Sequence, residues 1–80
     1  MIRVLAFAGA RDAIGEGELS LSLVGATDAR ALLDRLCREH PRLAPYAGSL
    51  RLAVNGTYAD WGDPVVDGDE VALIPPVAGG

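Results

Sequence analysis

Eighty residues with a mass of 8.3 kDa specify one small domain, near the lower limit of independent folding. Half the residues are hydrophobic and 22% are charged, which excludes a disordered chain. Seven arginines against eleven acidic residues give a net charge of −4 and a pI near 4.6, a balance that argues against nucleic acid or an anionic membrane as partner. One cysteine cannot close an internal disulfide, and a secreted protein of this size needs several. The longest apolar run falls well short of the roughly 18–20 residues of a membrane span. The opening Met1-Ile2-Arg3-Val4-Leu5-Ala6-Phe7-Ala8 lacks the long apolar core and cleavage site of a signal peptide. The expectation is a soluble, cytoplasmic, single-domain protein.

The charge is unevenly spread. Residues 1–43 are net neutral, whereas residues 44–80 set Arg51 alone against Asp60, Asp63, Asp67, Asp69 and Glu70 and so carry the whole net charge. All seven cations are arginine, so no side chain offers an amine.

In chain order, residues 2–8 alternate as a strand, with Ile2, Val4 and Ala6 on one face and Arg3, Leu5 and Phe7 on the other. Gly9 to Glu18 holds Gly9, Gly15 and Gly17 and reads as a turn region. Leu19, Leu21 and Leu23, spaced by Ser20 and Ser22, have the period of a second, antiparallel strand. Thr27 is placed to cap a helix, with Asp28 at its positive end. Ala29, Leu32, Leu33, Leu36 and Cys37 then form one apolar stripe. Asp34 and Arg38 have the spacing of an ion pair on the opposite side, and Pro41 ends the helix.

Leu50 to Val54 reads as a third strand, with Leu52 and Val54 inward and Arg51 and Ala53 outward. Asn55-Gly56 is a strong type I′ hairpin signal, and Thr57-Tyr58 begins the return strand. Asp67-Gly68 makes another turn, Glu70 to Ile74 a last strand, and Pro75-Pro76 stops the pairing. The order β-β-α-β-β predicts an α+β, β-grasp (ubiquitin-like) fold, a mixed sheet of four to five strands on one main helix. An all-parallel sheet is excluded on the ground that residues 9–18 hold no crossover helix. The predicted division is a domain over residues 1–75 and a flexible tail over 76–80.

The chain ends Pro75-Pro76-Val77-Ala78-Gly79-Gly80. Two prolines favour an extended segment projecting from the body, and two glycines fit a channel too narrow for a Cβ. The terminal carboxylate is ionised at neutral pH and a poor electrophile until activated. The whole run Asp67-Gly68-Asp69-Glu70-Val71-Ala72-Leu73-Ile74 followed by that ending resembles the C-terminal signature of the molybdopterin synthase sulfur-carrier subunits, the MoaD family. Ile2 to Ala8 with Arg11, Asp12 and Gly15, and the Ala53-Val54-Asn55 step, are similar to that family as well. Ala78 stands where the family usually has Ser or Thr, Leu73-Ile74 where it commonly has an aromatic pair, and Gly56 is an unusual follower of Asn55.

The resemblance implies a ubiquitin-like carrier that binds no cofactor of its own. An E1-like adenylating enzyme would spend ATP on the carboxyl of Gly80, and a sulfur donor would convert it to a thiocarboxylate. The tail would then enter the large subunit of molybdopterin synthase, in a heterotetramer, and give sulfur to cyclic pyranopterin monophosphate. Gly79 would provide clearance. The chain would act as a sulfur-donating subunit without catalytic side chains. A thiamin- or cysteine-type sulfur carrier, a ubiquitin-like modifier joined to target lysines through Gly80, and a plain interaction module are the alternatives.

The remaining candidates read as structural. Cys37 sits on the apolar stripe as a small hydrophobe, and His40 serves the helix end, with no second histidine to share a metal. Asp67-Gly68-Asp69-Glu70 lacks the spacing of a calcium loop. Gly15-Glu16-Gly17 opens no helix that would bind phosphate. Trp61 reads as a cover over the edge of the sheet, and Arg11 as a loop charge with a partner-contact role implied by the resemblance. If Val4, Leu52, Val71 and Leu73 face the helix, then Leu5, Phe7, Ala53, Ala72 and Ile74 share the other face, with Tyr58 beside them. Contiguous exposed apolar surface of this kind marks a binding face, here expected to dock the large subunit.

Overall fold

The computed structural model describes residues 1–23 and 25–75. Ten elements follow in order: β1 (Ile2–Ala6), α1 (Ala8–Ile14), β2 (Glu18–Leu21), β3 (Thr27–Asp28), α2 (Ala29–Glu39), a 3-10 helix (Pro41–Tyr46), β4 (Arg51–Val54), β5 (Thr57–Tyr58), β6 (Pro64–Val65) and β7 (Glu70–Ile74). The main sheet has the order β2-β1-β7-β4-β5, and β3 pairs with β6 as a separate two-stranded ladder. β1 and β7 run parallel at the centre; the other pairs are antiparallel.

Alternation sorts the sheet into two faces. Ile2, Val4 and Ala6 of β1, Val71 and Leu73 of β7, and Leu52 of β4 are all buried on the helix side. The stripe Ala29, Leu32, Leu33 and Leu36 of α2 meets them. Leu43 of the 3-10 helix and Val65 of β6 close the core, each without solvent exposure. No buried side-chain polar atom among the described residues lacks a partner. No helix among them is long and apolar enough to cross a membrane.

The turns follow their residues. Asn55 and Gly56 take φ of 52° and 84°, the positive values a type I′ turn requires. The Asn55 side chain then reaches across: its Nδ2 donates to Asp69 Oδ1 at 2.9 Å and its Oδ1 accepts from the Glu70 amide at 2.9 Å. The other oxygen of Asp69 accepts from the Val66 amide at 2.9 Å. One carboxylate thus ties the β4–β5 turn to the turn before β7.

The segment after β1 departs from the sequence pattern. Residues 9–18 are not all turn, because α1 occupies Ala8–Ile14. Gly9 reads as a turn former, yet it serves close approach, since a Cβ there would meet the Tyr46 ring at 2.8 Å. Gly15, with φ 94°, ends α1 and donates its amide to the Arg11 carbonyl at 2.8 Å. The exclusion of an all-parallel sheet therefore holds for a different reason: β1 and β2 pair antiparallel despite the helix between them.

The cap of α2 is Asp28, whose carboxylate accepts from the Ala31 amide at 2.8 Å. Thr27, one residue earlier, pairs in β3 with Val65. The Ala29 and Arg30 amides, which have no intrahelical acceptor, donate to the Asp63 and Trp61 carbonyls, each at 3.0 Å. Trp61 accordingly covers the start of α2, with the Arg30 guanidinium 5.4 Å from its ring centroid, rather than the edge of the main sheet. On α2 the ion pair is Arg35–Glu39 at 2.7 Å, not Asp34–Arg38. Arg35 is also held by donating to the Ser22 carbonyl at 2.7 Å. The 3-10 helix and the β3–β6 ladder carry no clear signal in the sequence, because six and two residues per element leave little periodicity to read.

Two variants test this packing. Leu36→Ala empties a site with no exposure and is expected to cost about 2–5 kcal/mol, read by urea unfolding. The hydrogen bonds from the Val66 amide and Asn55 lower the Asp69 pKa below its ordinary value. A lowered folded-state pKa stabilises above the unfolded value and is lost as pH falls through the folded one. The melting-temperature gap between wild type and Asp69→Ala should therefore be full at neutral pH and close as pH drops below about 4.

Candidate functional site

The open face of the sheet assembles from the strand registers. Leu5 lies opposite Ala72, Ala72 opposite Ala53, and Ala53 opposite Tyr58. Directly paired residues project to the same side, so these four form one apolar row across β1, β7, β4 and β5. One level further along β7, Ile74 pairs with Arg51. Phe7 extends β1 beyond the Ala6–Leu73 pair and reaches the same level. Leu5, Ala53, Ala72 and Ile74 are half-buried, whereas Phe7 and Tyr58 expose 48% and 59% of their surface.

Phe7 holds its place through local backbone geometry. It is extended, with φ −131° and ψ 153°, and its carbonyl accepts from the Ala10 and Arg11 amides at 3.1 and 3.3 Å. Ala8 follows at φ 50°, a left-handed turn that directs the chain away into α1. The ring thus stays at the end of the sheet instead of folding with the helix.

Charge is handled differently at the two ends of this face. At the start of β1, Arg3 lies between Glu18, at 3.0 Å, and Glu70, which its guanidinium contacts directly. At the other end, Arg51 stacks over the Tyr58 ring at 5.2 Å and makes no ion pair among the described residues. The sequence marks Arg51 as outward and as the lone cation of its half; the diagonal stack on Tyr58 emerges only from the β4–β5 register.

The expected site residues divide into three groups. Leu5, Phe7, Ala53, Tyr58 and Ile74 come together on the open face. Arg11 stands apart, exposed in the last turn of α1, with its Nε 3.5 Å from where a Cβ on Gly17 would sit. Gly17 neighbours Ala6, whose amide donates to the Gly17 carbonyl and whose side chain faces the core, so Arg11 lies toward the helix side. Pro75 is half-buried directly after β7, while Pro76, Val77, Ala78, Gly79 and Gly80 lie outside the described residues.

Other candidates stay structural. Cys37 is partly buried, and burial, with Asp34 adding to it, pushes its thiol pKa up, the opposite of the lowered pKa that activates a thiol. No group of three metal-ligating side chains forms among the described residues. A groove between the β2–β3 connection and α2 contains one charged side chain, Arg35, already engaged by Ser22 and Glu39.

A five-stranded mixed sheet with one main helix across it is the ubiquitin-like β-grasp architecture. The ThiS family profile matches residues 4–80, and the chain belongs to that family. It is 39% identical over 82 residues to the molybdopterin synthase sulfur carrier subunit of Escherichia coli (strain K12), covering 100% of each chain. Among solved structures it is similar to the putative molybdopterin converting factor, subunit 1, of Pyrococcus furiosus, at a TM-score of 0.84 and 28% identity over 95% of this chain and 97% of that one. It is similar to the Haloferax volcanii small archaeal modifier protein 1, at 0.82 and 26% over 95% and 97%. A third likeness is to a chain in the protein–protein complex of subunits 1 and 2 of the Helicobacter pylori molybdopterin-converting factor, at 0.68 and 26% over 99% and 97%.

The two faces can be separated by neighbouring substitutions on β7. Ile74→Asp, on the open face, should leave the chain folded at a cost of about 1 kcal/mol or less. Leu73→Asp, one residue earlier and fully buried, should unfold it, because an unpaired buried carboxylate costs several kcal/mol. Thermal melts by circular dichroism distinguish the two.

Proposed function

We propose that this chain is the sulfur carrier of molybdenum cofactor biosynthesis, with the Gly80 carboxyl as the sulfur-bearing group. The observation that carries the reading is the end-to-end similarity to a molybdopterin synthase sulfur carrier subunit, with a family match that runs through Gly79 and Gly80.

An E1-like adenylating enzyme binds ATP and the tail together. The Gly80 carboxylate attacks the α-phosphorus, pyrophosphate leaves, and the acyl-adenylate forms. Sulfur at the sulfide level from a donor then attacks the carbonyl and AMP departs, leaving a thiocarboxylate. In the large subunit of molybdopterin synthase the thiocarboxylate sulfur attacks a side-chain carbon of cyclic pyranopterin monophosphate, and the C–O bond at that carbon breaks with its oxygen leaving on phosphate or as water. Water cleaves the resulting thioester, which leaves sulfur on the pterin and returns Gly80 as a carboxylate.

This chain's share is positional. The open apolar face of Leu5, Phe7, Ala53, Ala72, Tyr58 and Ile74 docks on the large subunit, and the tail from Pro75 to Gly80 carries the reactive carboxyl into its active site. Gly79 and Gly80 keep the last steps free of side chains. The Helicobacter pylori likeness, to a protein solved as a complex of two subunits, supports a large-subunit partner.

A modifier function is the second reading, favoured by the likeness to the small archaeal modifier protein 1. In it a lysine amine of a target takes the place of sulfur, and an amide replaces the adenylate. Intact mass separates the two. With the cognate adenylating enzyme, ATP and a sulfur donor, the chain should gain about 16 Da, one oxygen exchanged for one sulfur. Gain of a whole target protein instead would support the modifier. Deleting Gly80 moves the carboxyl by about 3.3–3.6 Å, and a misplacement of about 1 Å can cost on the order of a hundredfold in rate. That variant should melt with wild type yet fail in a reconstituted dithiolene assay.

A further inference from the structure

The open face contains two arginines, and the fold treats them oppositely. Arg3 is neutralised within the chain by Glu18 and Glu70. Arg51 is exposed, has no carboxylate partner among the described residues, and rests on the Tyr58 ring at 5.2 Å. We propose that Arg51 is a partner-recognition residue: it pairs with a carboxylate that the large subunit presents at the edge of its apolar docking patch, close to where the tail leaves the sheet. This rests on the docking role assigned above to the open face.

A partner covering Ile74 and Tyr58 also covers Arg51, because Arg51 is paired with Ile74 across β4 and β7 and lies diagonal to Tyr58 across β4 and β5. Removing a guanidinium from water without a counter-charge is costly, so a stable complex must supply one. The Tyr58 stack restricts the guanidinium before contact, which lowers the ordering cost of binding. Arginine and tyrosine are also the residue types that dominate interface energetics.

The placement has a second consequence. Residues 44–80 carry five acids and Arg51 as their only cation, and Arg3, the other arginine of the open face, is already paired with Glu18 and Glu70. A carboxylate on the partner is therefore attracted only in a register that brings it to Arg51, beside Ile74 and Pro75. The pair would fix the rotation of the carrier on the large subunit and so the aim of the tail.

The experiment is calorimetric titration of the carrier into the large subunit encoded in the same genome, at 50 and 300 mM salt, for wild type, Arg51→Gln and Arg51→Glu. The expected result is binding weakened about tenfold or more by Arg51→Gln, and further by Arg51→Glu, with unchanged melting temperatures. Arg51→Gln should also bind with a flatter salt dependence than wild type. Reversal of one acidic residue on the large subunit should restore the Arg51→Glu variant. If both variants bind as wild type does, with the same salt dependence, the Arg51 inference is wrong while the carrier reading stands. If wild type does not bind at all, the docking role falls and this inference with it.

Discussion

Parallel pairing of the first and last strands sets the geometry of everything else. Val4 lies beside Val71 and Ala6 beside Leu73, so strands more than sixty residues apart supply the centre of the core. Parallel strands also end at the same edge of a sheet. Phe7, which leaves β1, and Pro75, which leaves β7, therefore emerge side by side. The neighbourhood of the tail's origin follows from that one pairing and needs no interaction of the tail itself.

The same pairing makes the sheet two-faced. Covered by α2 on one side, the sheet turns Leu5, Ala72, Ala53 and Tyr58 to the other in a single row. A monomer that served only as a compact body would gain by making this row polar, since exposed contiguous apolar surface invites association. The row lies beside Pro75, where β7 ends, so the exposed apolar surface and the start of the tail share one edge of the sheet. The charged ends of the row are also distinct: Arg3 is satisfied at home, and Arg51 is held on an aromatic ring and left available.

Much of this was legible in the residues. The faces of β1, β4 and β7 follow from strict alternation, α2 from its three- and four-residue spacing, and the hairpin from Asn55-Gly56. What escaped reading did so for physical reasons. Gly9 is where a helix must pass close to Tyr46, and a glycine used for close approach cannot be told in sequence from one used for a turn. The amides at the start of α2 are satisfied by the Trp61–Asp63 loop, a tertiary contact with no local signature. Thr27 and Asp28 are both competent caps, and the pairing of Thr27 with Val65 decides between them. The open face could be read because alternation fixes it. The Arg51–Tyr58 stack could not, because it depends on the register between two strands. Arg11, given a partner role by resemblance, sits on α1 apart from the open face.

The central claim concerns the atom that moves. The direct measurement is a single turnover in which the carrier, prepared with isotopically labelled sulfur in its terminal thiocarboxylate, is mixed with the large subunit and cyclic pyranopterin monophosphate. The account predicts that the label appears in the dithiolene of the product while the carrier returns to its unlabelled carboxylate mass. Label that remains on the carrier, with dithiolene formed from another sulfur source, would contradict it.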